Sequence, residues 1–256
     1  MLSVSSAYKS FDKELNEMSL DVTVAKQLDL FTLDVSFSCS RGSVIVLIGP
    51  SGSGKTTIVR TIAGLEKPDS GFISYKGETW LDTRRGICSP PRKRRLGYVF
   101  QDYTLFPHLS LYGNAAFSSR DPAQVEHLLK LFGIAHLRDK KPDQVSGGER
   151  QRCAVCQALA RHPQVLLLDE PFSALDVLNR RKLRDIIIGL KSELDIPIVY
   201  VTHDINEALS IADGILPIVA GKVEKNWLRR PSERAPGTGN IVPLKGARTH
   251  RLSLAY

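Results

Sequence analysis

The sequence has no apolar run long enough to cross a bilayer. Its longest, VIVLIG (44–49), VLLL (165–168) and IPIVYV (196–201), fall far short of the ~20 residues of a spanning helix, so no transmembrane helix is expected. The first residues, MLSVSSAYKSFDKELNEM, interleave acidic and polar positions where a secretory signal needs an apolar core. Export is therefore not expected. A disulfide framework is missing too: Cys39, Cys88, Cys153 and Cys156 have no such spacing, and a reducing cytosol suits them. Cys153 and Cys156 make one C-x-x-C without a second pair or a nearby histidine, a poor zinc pattern. Three residues apart on a helix they share a face, and they read as small core residues. The net charge of +8 and pI near 9.4 invite an anionic partner. Yet the densest basic stretch, PPRKRR (90–95) after Arg84 and Arg85, has no interleaved aromatics to stack bases, so it reads as a solvated face. No nucleic acid is expected. No internal repeat is evident.

What is present points to an α/β fold. With 42% hydrophobic and 24% charged residues over 256 positions, the composition is that of an ordinary globular chain, large enough for one sizeable core. Apolar runs at 44–49, 97–101, 165–169, 198–202 and 215–219 alternate with helical patterns, which predicts a mainly parallel sheet covered on both faces. In VLNRRKLRDIIIGLKSEL (177–194), Leu183, Ile186, Ile187, Leu190 and Leu194 recur at helical spacing and read as core. Pro217 would remove a ladder hydrogen bond, so its strand is expected at an edge or a bulge. Residues 18–80 alternate in the manner of an antiparallel β layer. A helical lobe over about 102–163 interrupts the strand series. The expected organisation is an N-terminal extension (1–17), a nucleotide-binding domain (18–225) and a basic tail (226–256), rich in Pro, Gly and Arg and expected to be poorly ordered.

Gly49, Gly54, Lys55 and Thr56 satisfy G-x-x-x-x-G-K-[ST] between an apolar strand and the helical pattern KTTIVRTIAGL, the context a P-loop requires. In such a loop, Gly49, Pro50, Ser51, Gly52, Ser53, Gly54, Lys55, Thr56 and Thr57 present backbone N–H groups to phosphates, Lys55 reaches the β and γ phosphates, and Thr56 ligates Mg²⁺. Asp169, ending VLLLD, supplies a second metal ligand. Glu170 after it is placed to polarise an attacking water. Gln101 and His203 each follow an apolar strand at the carboxyl end, where open α/β sheets bind ligands. Gln101 can touch the metal or the water, and His203 can bond the γ-phosphate. His108, His127, His136, His162 and His250 lack that setting.

A second glycine-centred loop, QVSGGERQR (144–152), precedes the helical pattern ERQRCAVCQALAR. Ser146 and Glu149 fit a capping box, which leaves Gly147 and Gly148 unexplained, since glycine costs about 1 kcal/mol relative to alanine within a helix. Bare backbone at a helix start also suits a phosphate. With one cradle already present, the second can serve a nucleotide held by another subunit.

Taken together, GPSGSGKTT, VFQ, VSGGERQR, VLLLDEPF, SALD and VTHD, in that order across residues 44–222, resemble the motifs of nucleotide-binding subunits of ABC transporters. The resemblance implies a head-to-tail dimer sandwiching two ATP, the P-loop of one copy facing Ser146, Gly147 and Gly148 of the other, with Asp176 between the sites. It implies poor hydrolysis by single copies. VFQDYTLFPHLSLYGNAAF (99–117) resembles importers, in which the lobe receives a helix of the integral membrane permease. Leu105, Phe106, Pro107 and Leu109 suit such a groove, and Phe106 and Leu109 suit a core equally well. The run RRGICSPPRKRRLGYVFQDYTLFPHLSLYGN is similar to ATPase subunits of molybdate importers. It implies molybdate or tungstate as cargo, a periplasmic binding protein as indirect partner and a position on the cytoplasmic face of the inner membrane; sulfate, polyamine or sugar importers are the alternatives, and a soluble ABC ATPase acting on nucleic acid a remoter one. Two departures stand out. The aromatic that stacks on adenine in the family falls near Lys26, with Phe31 as a substitute, and the residues after Trp227 do not suffice for an oxyanion-sensing domain.

Overall fold

A computed structural model describes residues 19–224 apart from 103, 173 and 174, together with Trp227 and Val242–Pro243. The expected extension 1–17, most of the tail and two residues of SALD lie outside the described residues. Along the chain come β1 (Ser19–Gln27), β2 (Thr32–Ser40), β3 (Val44–Ile48), α1 (Lys55–Ala63), β4 (Ser70–Tyr75), β5 (Glu78–Asp82), β6 (Ile87–Cys88) and β7 (Leu96–Val99). Then follow α2 (Leu111–Ala116), α3 (Pro122–Leu131), α4 (Gly147–Leu159), β8 (Val165–Asp169), α5 (Val177–Leu194), β9 (Ile198–Thr202), α6 (Ile205–Ile211), β10 (Gly214–Val219), β11 (Lys222–Val223) and β12 (Val242–Pro243).

The strands make one sheet in the order β6-β5-β4-β1-β2-β11-β10-β3-β9-β8-β7, with β12 pairing β10 outside that path. From β10 to β7 all neighbours are parallel, whereas β6, β5, β4, β1 and β2 pair antiparallel. Every residue of β3, β8 and β9 is buried, because the two faces of each strand feed different apolar clusters. Val44, Val46, Ile48, Leu166 and Leu168 join α4 residues such as Val155 on one side; Ile45, Leu47, Leu167 and Val199 join Ile58 and Ile62 of α1 and Leu33 and Val35 of the hairpin on the other. Burial on both faces is why these strands read as continuous apolar runs. By contrast β2 buries alternate residues, Leu33, Val35, Phe37 and Cys39, the period of a half-solvated strand.

Two residues depart from the sequence expectations, Pro217 and Arg94. Pro217 lies in an interior strand, not at an edge or bulge, since β10 is flanked by β3 and by β11 and β12. Its carbonyl accepts from Glu224 N at 2.9 Å, one residue past the end of β11, so its missing N–H faces a ladder that is already ending. Arg94, within the supposedly solvated PPRKRR, is 1% exposed. Its guanidinium donates to the carbonyls of Ser89 (2.8 Å), Thr61 (2.9 Å) and Ile62 (2.7 Å); the last two belong to the final turn of α1, where a cation complements the helix dipole. Burial lowers its pKa below the usual guanidinium value. Arg92, Lys93 and Arg95 are exposed, as expected of a solvated face. Cys153 and Cys156 are wholly buried, and burial pushes the Cys153 thiol up to about 12.

Candidate functional site

The loop after β3 needs glycine at Gly49: its φ is +157°, and a β-carbon there would stand 2.0 Å from the Ile218 carbonyl oxygen. The chain then turns into α1 with Gly54 as its N-cap and no side chain capping the first turn, so the initial N–H groups keep their capacity for an anion. Lys55 is 5% exposed. Its Nζ donates to Gly49 O (2.9 Å) and Pro50 O (2.7 Å). Burial lowers its pKa, against the opposing pull of Glu170 and Asp169.

Asp169 ends β8 at the mouth of this loop. Thr56 Oγ1 donates to its Oδ1 at 3.3 Å, and the Tyr98 hydroxyl to its Oδ2 at 3.3 Å. Burial raises the Asp169 carboxyl pKa, partly offset by those two hydrogen bonds; beside it, burial and the carboxylate push the Tyr98 phenol upward as well. Glu170 follows in the left-handed region, φ +48°, an uncommon conformation for a non-glycine residue. Its N–H donates to Val201 O at 3.1 Å, and its Oε1 lies 3.3 Å from His203 Nδ1. Strand β7 stops at Val99, so Gln101 sits two residues beyond the strand end, in an exposed turn.

His203 lines a separate small cavity that Glu170 also walls, whereas residues 51–57, Gln101 and Glu170, together with Leu28, line one cleft of about 330 Å³. Oxygen donors Thr56 and Asp169 at its base are hard ligands of the kind Mg²⁺ takes, a metal that keeps waters and phosphate oxygens for its other positions. They fit it, although among the described residues no group of three or more His, Cys, Asp or Glu is gathered for a metal. Lys26 is turned away, paired with Glu66 (3.1 Å) and the Lys67 carbonyl (2.9 Å). Phe31 lies against the loop itself, near Gly54 and Gly221. Leu28, which the sequence did not single out, is the hairpin residue on the cleft wall.

Ser146, Gly147, Gly148 and Asp176 do not line that cleft. The capping box is complete: Ser146 Oγ accepts from Glu149 N (3.3 Å), and Glu149 Oε2 accepts from Ser146 N (2.7 Å). Donation to the Glu149 carboxylate from the Ser146 N–H, and from the Ser146 hydroxyl at 2.8 Å, lowers the Glu149 pKa. Gly148 also has an intrachain reason, because a β-carbon there would stand 2.4 Å from Leu175 Cδ2. Asp176 caps α5 through Asn179 N at 2.9 Å. Sequence reasoning missed Tyr98, Gln151, Arg180 and Glu207. Buried Gln151 reaches the Glu170 carbonyl at 3.5 Å, and Glu207 accepts from the Tyr200 hydroxyl at 2.7 Å. Tyr98 had one legible signal, its place in the strand that leads to Gln101.

A second opening of about 350 Å³ lies between β7, α4 and the segment ahead of α2, with Leu65, Phe100, Phe106 and Phe117 on its walls. Phe106 stacks 4.2 Å from Phe117, which is 60% exposed. Asn114, fully buried, fixes this segment by accepting from Phe106 N (2.6 Å) and donating to the carbonyls of Phe106, Leu109 and Ser110. Leu105 packs on the core instead.

A parallel sheet flanked by helices, with a P-loop at the carboxyl end of β3 and an acidic pair at that of β8, defines a P-loop NTPase fold. The chain belongs to the ABC transporter family: residues 32–173 match the model of that family. It is 40% identical to the molybdenum import ATP-binding protein of Paramagnetospirillum magneticum over 233 residues, covering 89% of this chain and 63% of that protein. It is 45% identical to the sulfate/thiosulfate import ATP-binding protein of Synechococcus elongatus over 212 residues, covering 79% of this chain and 60% of the relative. The chain thus spans less than two thirds of either relative's length. Among solved structures it is similar to a dimeric ATP-binding cassette in a post-hydrolysis state bound to ADP and Pi, with a TM-score of 0.70, 27% identity and coverage of 89% of this chain and 99% of that one. Among the described residues no helix is long and apolar enough to cross a membrane.

Proposed function

We propose that this chain is the ATP-binding and hydrolysing subunit of an ABC importer for an oxyanion, molybdate or tungstate, working on the cytoplasmic face of the membrane as a head-to-tail dimer docked on integral permease subunits. The reading rests above all on the incompleteness of the cleft. Lys55, Thr56 and Glu170 line it, with Asp169 bonded to Thr56, while Ser146, Gly147 and Gly148, a second phosphate-suited loop, lie outside it. A second copy turned head to tail supplies that wall, with Asp176 between the two sites. The similarity to a dimeric cassette bound to ADP and Pi supports the arrangement.

In this scheme the N–H groups of residues 51–57 and Lys55 bind and orient the triphosphate, and Thr56 and Asp169 hold Mg²⁺, aided by Gln101. When bound, that ion neutralises charge on the β and γ oxygens. Glu170 takes the proton of the attacking water as the water oxygen bonds the γ-phosphorus and the bond from that phosphorus to the β–γ bridging oxygen breaks, releasing ADP and phosphate. His203, 3.3 Å from Glu170, orients that carboxylate and bonds the γ-phosphate. The partner's Ser146–Gly148 loop completes the charge stabilisation, which is why single copies are expected to turn over slowly. The groove at Phe100, Phe106 and Phe117 is apolar enough to receive a permease helix.

Cargo follows from the molybdenum-import relative, and the similarly close sulfate/thiosulfate-import relative favours sulfate as the second reading. Uptake of labelled molybdate, tungstate and sulfate by the reconstituted complex, including a periplasmic binding protein, decides between them. Molybdate and tungstate uptake dependent on ATP is expected; uptake of sulfate alone would transfer the chain to the second reading.

A further inference from the structure

One leucine joins the Ser146–Gly148 loop to the turn carrying His203, whose imidazole lies 3.3 Å from Glu170 of the nucleotide cleft. The turn carrying His203 is held rigidly: Asp204 N donates to Thr202 Oγ1 (3.0 Å), the Thr202 hydroxyl bonds Glu207 Oε2 (2.5 Å), and Asp204 Oδ1 accepts from Asn206 N (2.8 Å) and Glu207 N (3.2 Å). On its far side Asp204 Oδ2 meets Arg180 Nη1 at 3.6 Å. Another nitrogen of the same guanidinium, Nη2, donates to the Leu175 carbonyl at 3.1 Å. Leu175, 8% exposed, then presses its Cδ2 against Gly148, at 2.4 Å from where a β-carbon would be. A side chain at Gly148 would displace that methyl group. Glu170, Phe172, Arg180, His203 and Asp204 all wall one small cavity of about 50 Å³, which places the cleft residue Glu170 and the Arg180 guanidinium side by side.

We infer that Arg180 and Leu175 are positioning residues that link the chain's own nucleotide site to its Ser146–Gly148 loop, so that filling the P-loop cleft sets the position of the loop offered to a second copy. The inference deepens the proposed dimeric ATPase and rests on it for the loop's destination, but the link itself lies within one chain. Its strength is geometric. Both ends of the Arg180–Asp204 pair are about one-third exposed, so its charge contributes little, whereas the two terminal nitrogens of one planar guanidinium hold the carboxylate and the carbonyl at a fixed separation, which the single nitrogen of a lysine does not reproduce.

Hydrogen exchange on the full chain, at a concentration where it is monomeric, tests the link directly. The amides of Glu149 and Arg150, which donate to the Ser146 carbonyl at 3.1 and 3.0 Å, report on the loop, and those of residues 51–57 report on binding. With Mg²⁺ and a non-hydrolysable ATP analogue, the parent chain is expected to show at least a threefold change in exchange at 147–150. Arg180→Gln, Arg180→Lys and Leu175→Ala should each lose that change while keeping nucleotide protection at 51–57. A change that persists in the variants that stay folded, or none in the parent despite protection at 51–57, overturns the link. Whether Glu170→Gln protein dimerises with ATP is measured separately, by size-exclusion chromatography, so failure of the dimer reading and failure of the link are told apart.

Discussion

At the scale of single residues, the site is a set of polar groups whose burial is tolerated because each has a partner. Asp169 is 1% exposed and takes hydrogen bonds from Thr56 and Tyr98, which keeps a buried carboxylate from being orphaned. Glu170, beside it, is held by its backbone and by His203. In Glu170→Gln the amide keeps the shape and loses the proton acceptor. ATP turnover should fall by roughly 10²–10⁴-fold while nucleotide binding persists and an ATP-stabilised dimer accumulates; unchanged turnover in a steady-state assay would remove Glu170 from the base role. The residues of this site were legible because the P-loop, the acidic pair and His203 all sit at strand ends that apolar runs announce. Leu28 and Arg180 were not, since their parts depend on the β1–β2 hairpin lying over the P-loop and on the His203 turn lying against α5.

Elements tell a similar story. Strands buried on both faces appear in the sequence as unbroken apolar runs, and the β3, β8 and β9 limits follow those runs to within about a residue. Strand β7 was drawn too long because Phe100 is apolar without pairing. Arg94 was invisible among its basic neighbours: its burial depends on four carbonyls, of Thr61, Ile62, Trp80 and Ser89, converging from three segments on one guanidinium. That position makes a sharp contrast testable by denaturant unfolding. Arg94→Ala leaves the carbonyls of Thr61, Ile62 and Ser89 without their donor and should cost about 3 kcal/mol or more, since hydrogen bonds to a charged group contribute roughly 1.5–3 kcal/mol each. Arg92→Ala, at an exposed position, should change stability by no more than ~0.5 kcal/mol; equal effects of the two would refute the distinction.

For the whole molecule, the question is how a cleft on one side communicates with a groove on another. Phe106 joins them in sequence, five residues after Gln101, and Asn114 locks its backbone in place. In the reconstituted transporter, Phe106→Asp should abolish uptake while nucleotide affinity of the isolated chain stays within about twofold of the parent. Leu105→Asp, at a residue packed on the core, should instead lower the melting temperature. Intact transport in the Phe106 variant would place the permease contact elsewhere.

The antiparallel and parallel halves of the sheet meet where β2 and β11 share a single rung, Asp34 opposite Lys222. Main-chain atoms of the P-loop are stitched into that join: Gly221 N donates to Ser53 O at 3.0 Å, and Gly221 O accepts from Asp34 N at 2.8 Å. A displacement of Ser53 is passed to the outer strands through main-chain atoms, at a join that must stay bare: a β-carbon on Gly221 would stand 2.7 Å from the Leu33 Cα.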